Sequence, residues 1–302
     1  MKQNKLFKGD LTVSEVGLGA MSLMQGHDRT NSYILDKALE LGVNYLDTSD
    51  LYDKGENEAL LGRLIQSNRK EWKLASKVGN RWKEDGSGWD WVPSKAYILK
   101  AVENSLKRLN TDYLDLYQLH GGTIEDPFDE IVEAFDLLKQ QGKILNYGIS
   151  SIRPNVFLNY ASASQMVSNM MQYSLLDRRP EAYFKQLEQY AVSIFARGTV
   201  AQGLMLTKAA QKYLSISIHD VVKIQKVLKD TAKDLEVSTL AMALKYPLLH
   251  EPVVCSVLGI RSREQINDLA DAIEDMNRLS LSDYQPIMDL LPEVSYNDHL
   301  LP

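Results

Sequence analysis

The chain has 302 residues, 44% of them hydrophobic and 25% charged, with a net charge of −6 at neutral pH. That length supports a large core, and the acidic balance offers no electrostatic footprint for nucleic acid or an anionic membrane. The lone Cys255 excludes an intrachain disulfide framework, and no apolar run is long enough to span a bilayer, so a cytoplasmic protein is expected.

Strand-like and helix-like segments alternate along the chain. Leu6–Val13 reads as a hairpin turning at Lys8-Gly9-Asp10. Val16–Ala20 is a first strand, followed by a helix over Ser32–Leu41 that Gly42 ends. Strand Val43–Asp47 precedes helix Glu56–Ser67. Strand Trp72–Lys77 leads through a long loop to helix Ser94–Leu109, with Ser94 as its N-cap. Strand Tyr113–His120 precedes helix Phe128–Gln141, which Gly142 terminates, and strand Ile144–Ser150 precedes a helix that starts after Pro154. Val167–Gln172 is followed by helix Glu181–Tyr190. Val192–Ala196 is followed by helical stretches near His219–Leu235 and Thr239–Tyr246, and Val253–Leu258 by helix Arg263–Ile273.

Eight βα units in succession predict a (β/α)8 barrel forming one domain over residues 1–302. Parallel strands covered on both faces read as the apolar runs seen here. A doubly wound fold would want three glycines after its first strand; Gly17 and Gly19 supply two, and Ser22 stands in the third place.

In such a barrel the site lies at the C-terminal ends of the strands. Asp47, Lys77 and His120 each end an apolar run, and Tyr52 follows Asp47 by five residues. An ammonium beside a phenol favours the phenolate and makes the phenol a better proton donor. A carboxylate holds that ammonium charged and oriented, and an imidazole polarises a carbonyl or relays a proton. The set suits proton delivery to an oxygen gaining negative charge, as in hydride transfer to an aldehyde or ketone. Singly, each residue has a plainer reading: Asp47 as a cap, Tyr52 as packing, Lys77 as a solvated cation, His120 as a structural histidine. His27, His219, His250 and His299 fit that plainer reading, with no metal-ligand spacing among them. Cys255, within an apolar run, reads as an inert buried thiol.

The segment Asn44-Tyr45-Leu46-Asp47-Thr48-Ser49-Asp50-Leu51-Tyr52, followed by Gly55-Glu56-Asn57-Glu58-Ala59-Leu60-Leu61-Gly62, resembles the signature of the aldo-keto reductase superfamily. Ser76-Lys77-Val78-Gly79, Asp115-Leu116-Tyr117-Gln118-Leu119-His120, and Lys139–Ile144 leading to Gly148-Ile149-Ser150 resemble its further marks, and the likeness runs from the hairpin to about Ile273. The resemblance implies a barrel that binds NADPH or NADH without a Rossmann domain. It makes Tyr52 the general acid, Lys77 and Asp47 its tuning pair, and His120 the group that orients the carbonyl.

By the same likeness Ser150, Ser151 and Gln172 stand where the nicotinamide carboxamide is held, with Ser151 replacing the family's usual asparagine. Arg197 occupies the place of a stacking tyrosine, and a planar guanidinium can stack or pair with phosphate. Gly203 and Leu204 match the phosphate-side loop. Gly259, Arg261, Arg263, Gln265 and Asp268 match the segment that grips the adenosine end, where relatives carry Pro-Gly for Leu258-Gly259 and Glu-Asn for Asp268-Leu269. Arg261 and Arg263 flank a helix N-terminus, a natural anion site, which favours NADPH. Trp82, Trp89 and Trp91, three of the four tryptophans, fall in one loop at the mouth and are candidate walls of a substrate pocket. The tail, with Tyr296 and His299, is a candidate to lie across the opening. The expected partner is a small carbonyl compound, with no nucleic acid or membrane. The alternative is a nucleotide-binding accessory module with little turnover; a lyase or isomerase on a phosphate-binding barrel fits the linked motifs less well.

Overall fold

A computed structural model of the chain describes residues 1–300. Strands β1 (Gln3–Lys5) and β2 (Thr12–Ser14) form an antiparallel hairpin. There follow β3 (Val16–Gly19), α1 (Asp28–Glu40), β4 (Tyr45–Asp47), α2 (Glu56–Leu64) and β5 (Lys73–Val78). A second hairpin, β6 (Asn80–Trp82) and β7 (Trp89–Trp91), precedes α3 (Lys95–Leu109), β8 (Leu116–Leu119), α4 (Phe128–Gln140), β9 (Tyr147–Ile149) and α5 (Pro154–Ala163). The rest is β10 (Ser168–Gln172), α6 (Phe184–Gln189), β11 (Ser193–Arg197), α7 (Ile218–Asp234), α8 (Thr239–Leu248), β12 (Val253–Leu258), α9 (Arg263–Met276) and α10 (Gln285–Met288).

Strands β3, β4, β5, β8, β9, β10, β11 and β12 pair in parallel in that order, and β12 closes onto β3. This is the expected (β/α)8 barrel. Its helices start where the side chains allow: Ser94, Ser217, Ser238 and Ser262 each accept a backbone N–H of the first turn of α3, α7, α8 and α9. Helix α6 is shorter than the pattern suggested, because Arg179–Tyr183, with Pro180 near its start, winds as a 3-10 turn first. Among the described residues no helix is long and apolar enough to cross a membrane.

The N-terminal hairpin is found, but β1 lies wholly before the predicted Leu6–Val13 and β2 overlaps it only at Thr12 and Val13. Leu6 and Leu11 are instead in the loop between β1 and β2, buried with Val13 against Val167, Met170, Phe195 and Val254. Asn4 Nδ2 donates to Val254 O at 2.9 Å and the Phe7 N–H to Ser193 Oγ at 2.9 Å. The hairpin therefore closes the N-terminal end of the barrel with apolar side chains, leaving the C-terminal end for polar ones. Cys255 belongs to this buried cluster, and burial pushes its thiol pKa well up, so it is an inert packing group.

Helix α2 approaches α3 closely at Gly62, where a Cβ would lie 2.5 Å from Arg108 O and 2.6 Å from Leu109 C. That approach brings Glu58 of α2 within 2.8 Å of Arg108 Nε of α3. Because the obstructing atoms are backbone, Gly62→Ala should separate the helices and lower stability by about 1–3 kcal/mol, read as a lower urea midpoint at unchanged m-value.

Candidate active site

Asp47 closes β4, Lys77 is the penultimate residue of β5, and His120 follows β8 directly. Since β4, β5 and β8 are adjacent, the three side chains meet at one edge of the mouth. Lys77 Nζ donates to Asp47 Oδ2 at 2.6 Å, to Thr48 O at 2.8 Å and to Tyr52 Oη at 3.4 Å. The ammonium also lies 5.1 Å from the centre of the Tyr52 ring, which meets His120 edge-on at 6.1 Å. The four residues named from the sequence are thus one contiguous cluster.

Burial sets the charge states. The Lys77 side chain is only 1% exposed. Burial by itself opposes its charge, yet Asp47 and Tyr52 outweigh that and raise its pKa, so it stays an ammonium. Burial likewise pushes the Asp47 carboxyl up, against the pull of Lys77. His120 goes the other way: burial first, then the Lys77 and Arg197 cations, lower its pKa to about 3, so the imidazole is neutral at physiological pH.

The loop carrying Tyr52 is held from several sides. Thr48 Oγ1 donates to Asn57 Oδ1 at 2.7 Å, Asn57 Nδ2 to Ala20 O at 2.9 Å, and Trp82 Nε1 to Leu51 O at 3.0 Å. Immediately after Tyr52 the backbone enters the left-handed region at Asp53 (φ 50°), Lys54 (φ 57°) and Gly55 (φ 90°). Two non-glycine residues in that region cost energy, which the surrounding bonds offset, and the result is a fixed phenol.

A cavity of about 690 Å³ opens onto this cluster and is lined by Tyr52, Lys77, His120, Trp91, Ser150, Ser151 and Arg197. Ser150 and Ser151 follow β9, and Asn169 Oδ1 accepts the Ser151 N–H at 3.1 Å while its buried Nδ2 has no partner. Arg197 ends β11 and is exposed, with no carboxylate in ion-pair distance among the described residues. Gln172 stands beside Arg197 in register, but its Nε2 donates to Asp177 Oδ2 at 2.8 Å and its side chain does not line the cavity. In the loop after β11, Gly203 has a positive φ of 91°, whereas Leu204 is fully buried and its carbonyl accepts Gln225 Nε2 at 2.8 Å.

At the start of α9, Arg261, Gln265 and Asp268 are exposed, and the Arg261 N–H donates to Gln265 Oε1 at 2.8 Å. Arg263 lies over the Tyr33 ring at 4.7 Å. Gly259 abuts Ser22: a Cβ there would meet Ser22 Oγ at 2.2 Å. None of these α9 groups borders the 690 Å³ cavity.

The tryptophan segment is a hairpin rather than an irregular loop. Trp91 Nε1 donates to Asp126 Oδ1 at 2.7 Å, and Trp91 lies so close over Gly79 (φ +129°) that a Cβ there would be 2.4 Å from its ring. Trp91 lines the main cavity. Trp82 packs edge-to-face with Trp89 at 5.7 Å and under Lys54 at 5.1 Å, facing a second cavity, and Trp89 is 54% exposed. In the tail, Tyr296 packs on Tyr183 and under the Arg179 guanidinium, and the His299 carbonyl accepts the Asn155 N–H at the start of α5. The tail follows the α5–α6 side of the rim, and neither residue borders the main cavity.

Sequence reading missed Met21, Asn80, Thr123 and Arg153 of the cavity wall, and Asn169 beneath it. Asn80 stands two residues past the Lys77 strand and was a readable signal; Asn169 lies inside an apolar run, where only a polar interruption marks it. Among the described residues no group of three His, Cys, Asp or Glu side chains is arranged to hold a metal ion.

The profile of the Aldo/keto reductase family matches residues 15–291. The chain is 49% identical to the uncharacterized oxidoreductase YqkF of Bacillus subtilis, over 94% of each sequence. Its fold superposes on the holo form of aldo-keto reductase AKR11C1 from Bacillus halodurans with a TM-score of 0.93 at 44% identity, covering 99% of both chains. It shares the fold of glycerol dehydrogenase AKR11B4 from Gluconobacter oxydans, with a TM-score of 0.83 at 22% identity, over 95% of this chain and 94% of that one.

The buried pair makes a stability test available that is independent of any activity. Lys77→Met leaves Asp47 buried without its cation and should lower unfolding free energy in urea by about 3–5 kcal/mol. Tyr52→Phe removes only the hydroxyl of a partly buried side chain and should stay within about 1 kcal/mol of wild type.

Proposed function

This chain belongs to the aldo/keto reductase family, and we propose that it reduces an aldehyde or ketone with NADPH, Tyr52 giving the proton. The family and fold support oxidoreductase action on carbonyls; the observation that carries the finer reading is the Lys77 ammonium, 2.6 Å from Asp47 and 3.4 Å from the Tyr52 hydroxyl.

The residues of the mouth fit a nicotinamide. Ser150 and Ser151 present hydroxyls at the cavity wall, and Asn169 beneath them has an amide N–H₂ free for a carboxamide oxygen. When bound there, the cofactor supplies the hydride. Tyr52 then protonates the oxygen that gains charge, and Lys77 stabilises the phenolate left behind. Asp47 keeps Lys77 charged, and Lys77 is fixed by its short bonds to Asp47 Oδ2 and Thr48 O. His120, neutral and beside Tyr52, offers the substrate oxygen its second contact, and Trp91 walls the pocket. Arg197, unpaired at the rim, serves the pyrophosphate or stacks on the cofactor, and Arg261 and Arg263 at the start of α9 serve a 2′-phosphate. Gly203 gives close backbone approach, while buried Leu204 shapes that loop from within. Gln172 acts by holding Asp177 at the base of the β10 loop.

Screening NADPH oxidation across chemically varied carbonyls, with 4-nitrobenzaldehyde as the broad probe, tests the reading. Tyr52→Phe should lower kcat by about 10²- to 10⁴-fold with NADPH affinity retained in a fluorescence titration; near wild-type turnover would remove Tyr52 from the acid's role. In the same titration Arg261→Ala should weaken NADPH by roughly tenfold and leave NADH as it was. Equal loss for both cofactors would clear Arg261 of a 2′-phosphate role.

A further inference from the structure

Beside the catalytic cluster stands a serine whose hydrogen bonds are over-determined. Ser49 Oγ lies 3.2 Å from His120 Nδ1 and 3.2 Å from Asp50 Oδ1, and it accepts the Leu51 N–H at 3.1 Å. A hydroxyl has one proton to donate and two lone pairs to accept with. The Leu51 N–H takes one lone pair, so of the two remaining neighbours one must donate to Ser49 and the other must accept from it. With the Asp50 proton, when present, carried on the Oδ1 that faces Ser49, two arrangements satisfy this. In the first, a protonated Asp50 donates to Ser49, Ser49 donates to His120 Nδ1, and the neutral imidazole carries its proton on Nε2. In the second, Ser49 donates to an Asp50 carboxylate and accepts from His120 Nδ1–H, so Nε2 is a bare acceptor. A substrate carbonyl oxygen needs an N–H, which only the first arrangement offers.

We propose that Asp50 is a positioning residue: through Ser49 it sets the tautomer of His120, and so decides whether Nε2 donates to the substrate oxygen. The interconversion balances in protons. On going from the first state to the second, Asp50 passes its proton to Ser49, Ser49 passes its own to Nδ1, and the Nε2 proton leaves through the main cavity. Asp50 also borders the second cavity, about 520 Å³ in volume, which gives its carboxyl a solvent path separate from the substrate side.

The surroundings place this switch in an accessible range. Asp50 is faced by Glu58 of α2, by Arg108 and Tyr97 of α3 and by Tyr117 of β8, with Lys54, Arg81 and Lys100 on the walls of the second cavity. Burial first, then the Glu58 carboxylate, push Asp50 up to about 8, against Ser49, Arg108 and the Leu51 N–H. Glu58 is itself paired with Arg108 at 2.6 Å and accepts a hydrogen bond from Ser76 Oγ. On the other side His120 is faced by Lys77 of β5, by Arg197 of β11 and by Tyr52, and burial first, then the Lys77 and Arg197 cations, keep it neutral in both arrangements. A raised folded-state value means the donor arrangement holds at lower pH and is lost as pH rises through about 8.

The catalytic half of this inference rests on the carbonyl-reductase reading; the tautomer half does not. Two-bond proton–nitrogen spectra of imidazole-labelled protein, with His120 assigned by His120→Gln, report the tautomer directly. Wild type should show Nε2–H near pH 6 and convert to Nδ1–H through about pH 8, Ser49→Ala should lose that conversion, and Asp50→Asn, whose amide donates at every pH, should hold Nε2–H throughout. In kinetics, wild-type kcat should fall about tenfold per pH unit above the switch, and this limb should vanish in both variants. One tautomer across the whole range in wild type, or a conversion unaltered in Ser49→Ala, overturns the relay. An alkaline limb that survives in both variants assigns it to another group and overturns the catalytic half. If no carbonyl is turned over, the function reading fails while the spectra still decide the relay, and if Asp50→Asn does not fold, Ser49→Ala reads the same coupling.

Discussion

A lysine ammonium buried at the end of a barrel strand cannot be left without acceptors, and much of the site follows from how Lys77 is satisfied. Its bonds go to Asp47, Thr48 and Tyr52, so one side chain of β5 fixes the end of β4 and the turn after it. Desolvation works against the charge, and the Asp47 carboxylate at 2.6 Å together with the Tyr52 phenol reverses it. Burial first, and then this same cation, lowers the pKa of His120 just past the neighbouring strand. One electrostatic arrangement thus sets a phenol beside a cation and an uncharged imidazole beside the phenol.

The barrel makes this affordable by separating its ends. At the N-terminal end Leu6, Leu11 and Val13 fill the interior, so strand pairing is supported by dry packing. At the C-terminal end the strands stop short and hand over to loops that carry positive-φ residues after Tyr52 and around Gly203. Strain there is tolerable because it lies outside the hydrogen-bonded ladder, where Trp82, Asn57 and the α2–α3 contact hold the loop from outside.

Much of this was legible in the residues. Apolar runs with a polar residue at the end announced the strands, and Asp47, Lys77 and His120 at those ends, with Tyr52 just beyond, announced a polar cluster at one mouth. Other parts were hidden for identifiable reasons. The tryptophan segment reads as a loop because strands of three residues carry too little pattern, yet β6 and β7 pair and only Trp91 turns to the main cavity. Gln172 sits at a strand end like Ser150, but Asp177 captures its amide. Leu204 matches a loop position by spacing while its side chain is in the core. Strand-end position predicts which mouth a residue reaches; it does not predict which neighbour it finds there.

The sequence by itself determined the number and order of βα units, the end of the barrel at which polar groups collect, and the identity of Asp47, Tyr52, Lys77 and His120 as a set. Those are matters of period and residue type, written locally in the chain. The tertiary structure decided how the groups are charged and linked: the neutral imidazole, the raised Asp50, and the path from Asp50 through Ser49 to His120. These depend on burial and on distances between residues far apart in sequence, such as Ser49 with His120 or Glu58 with Arg108, and no local pattern encodes them.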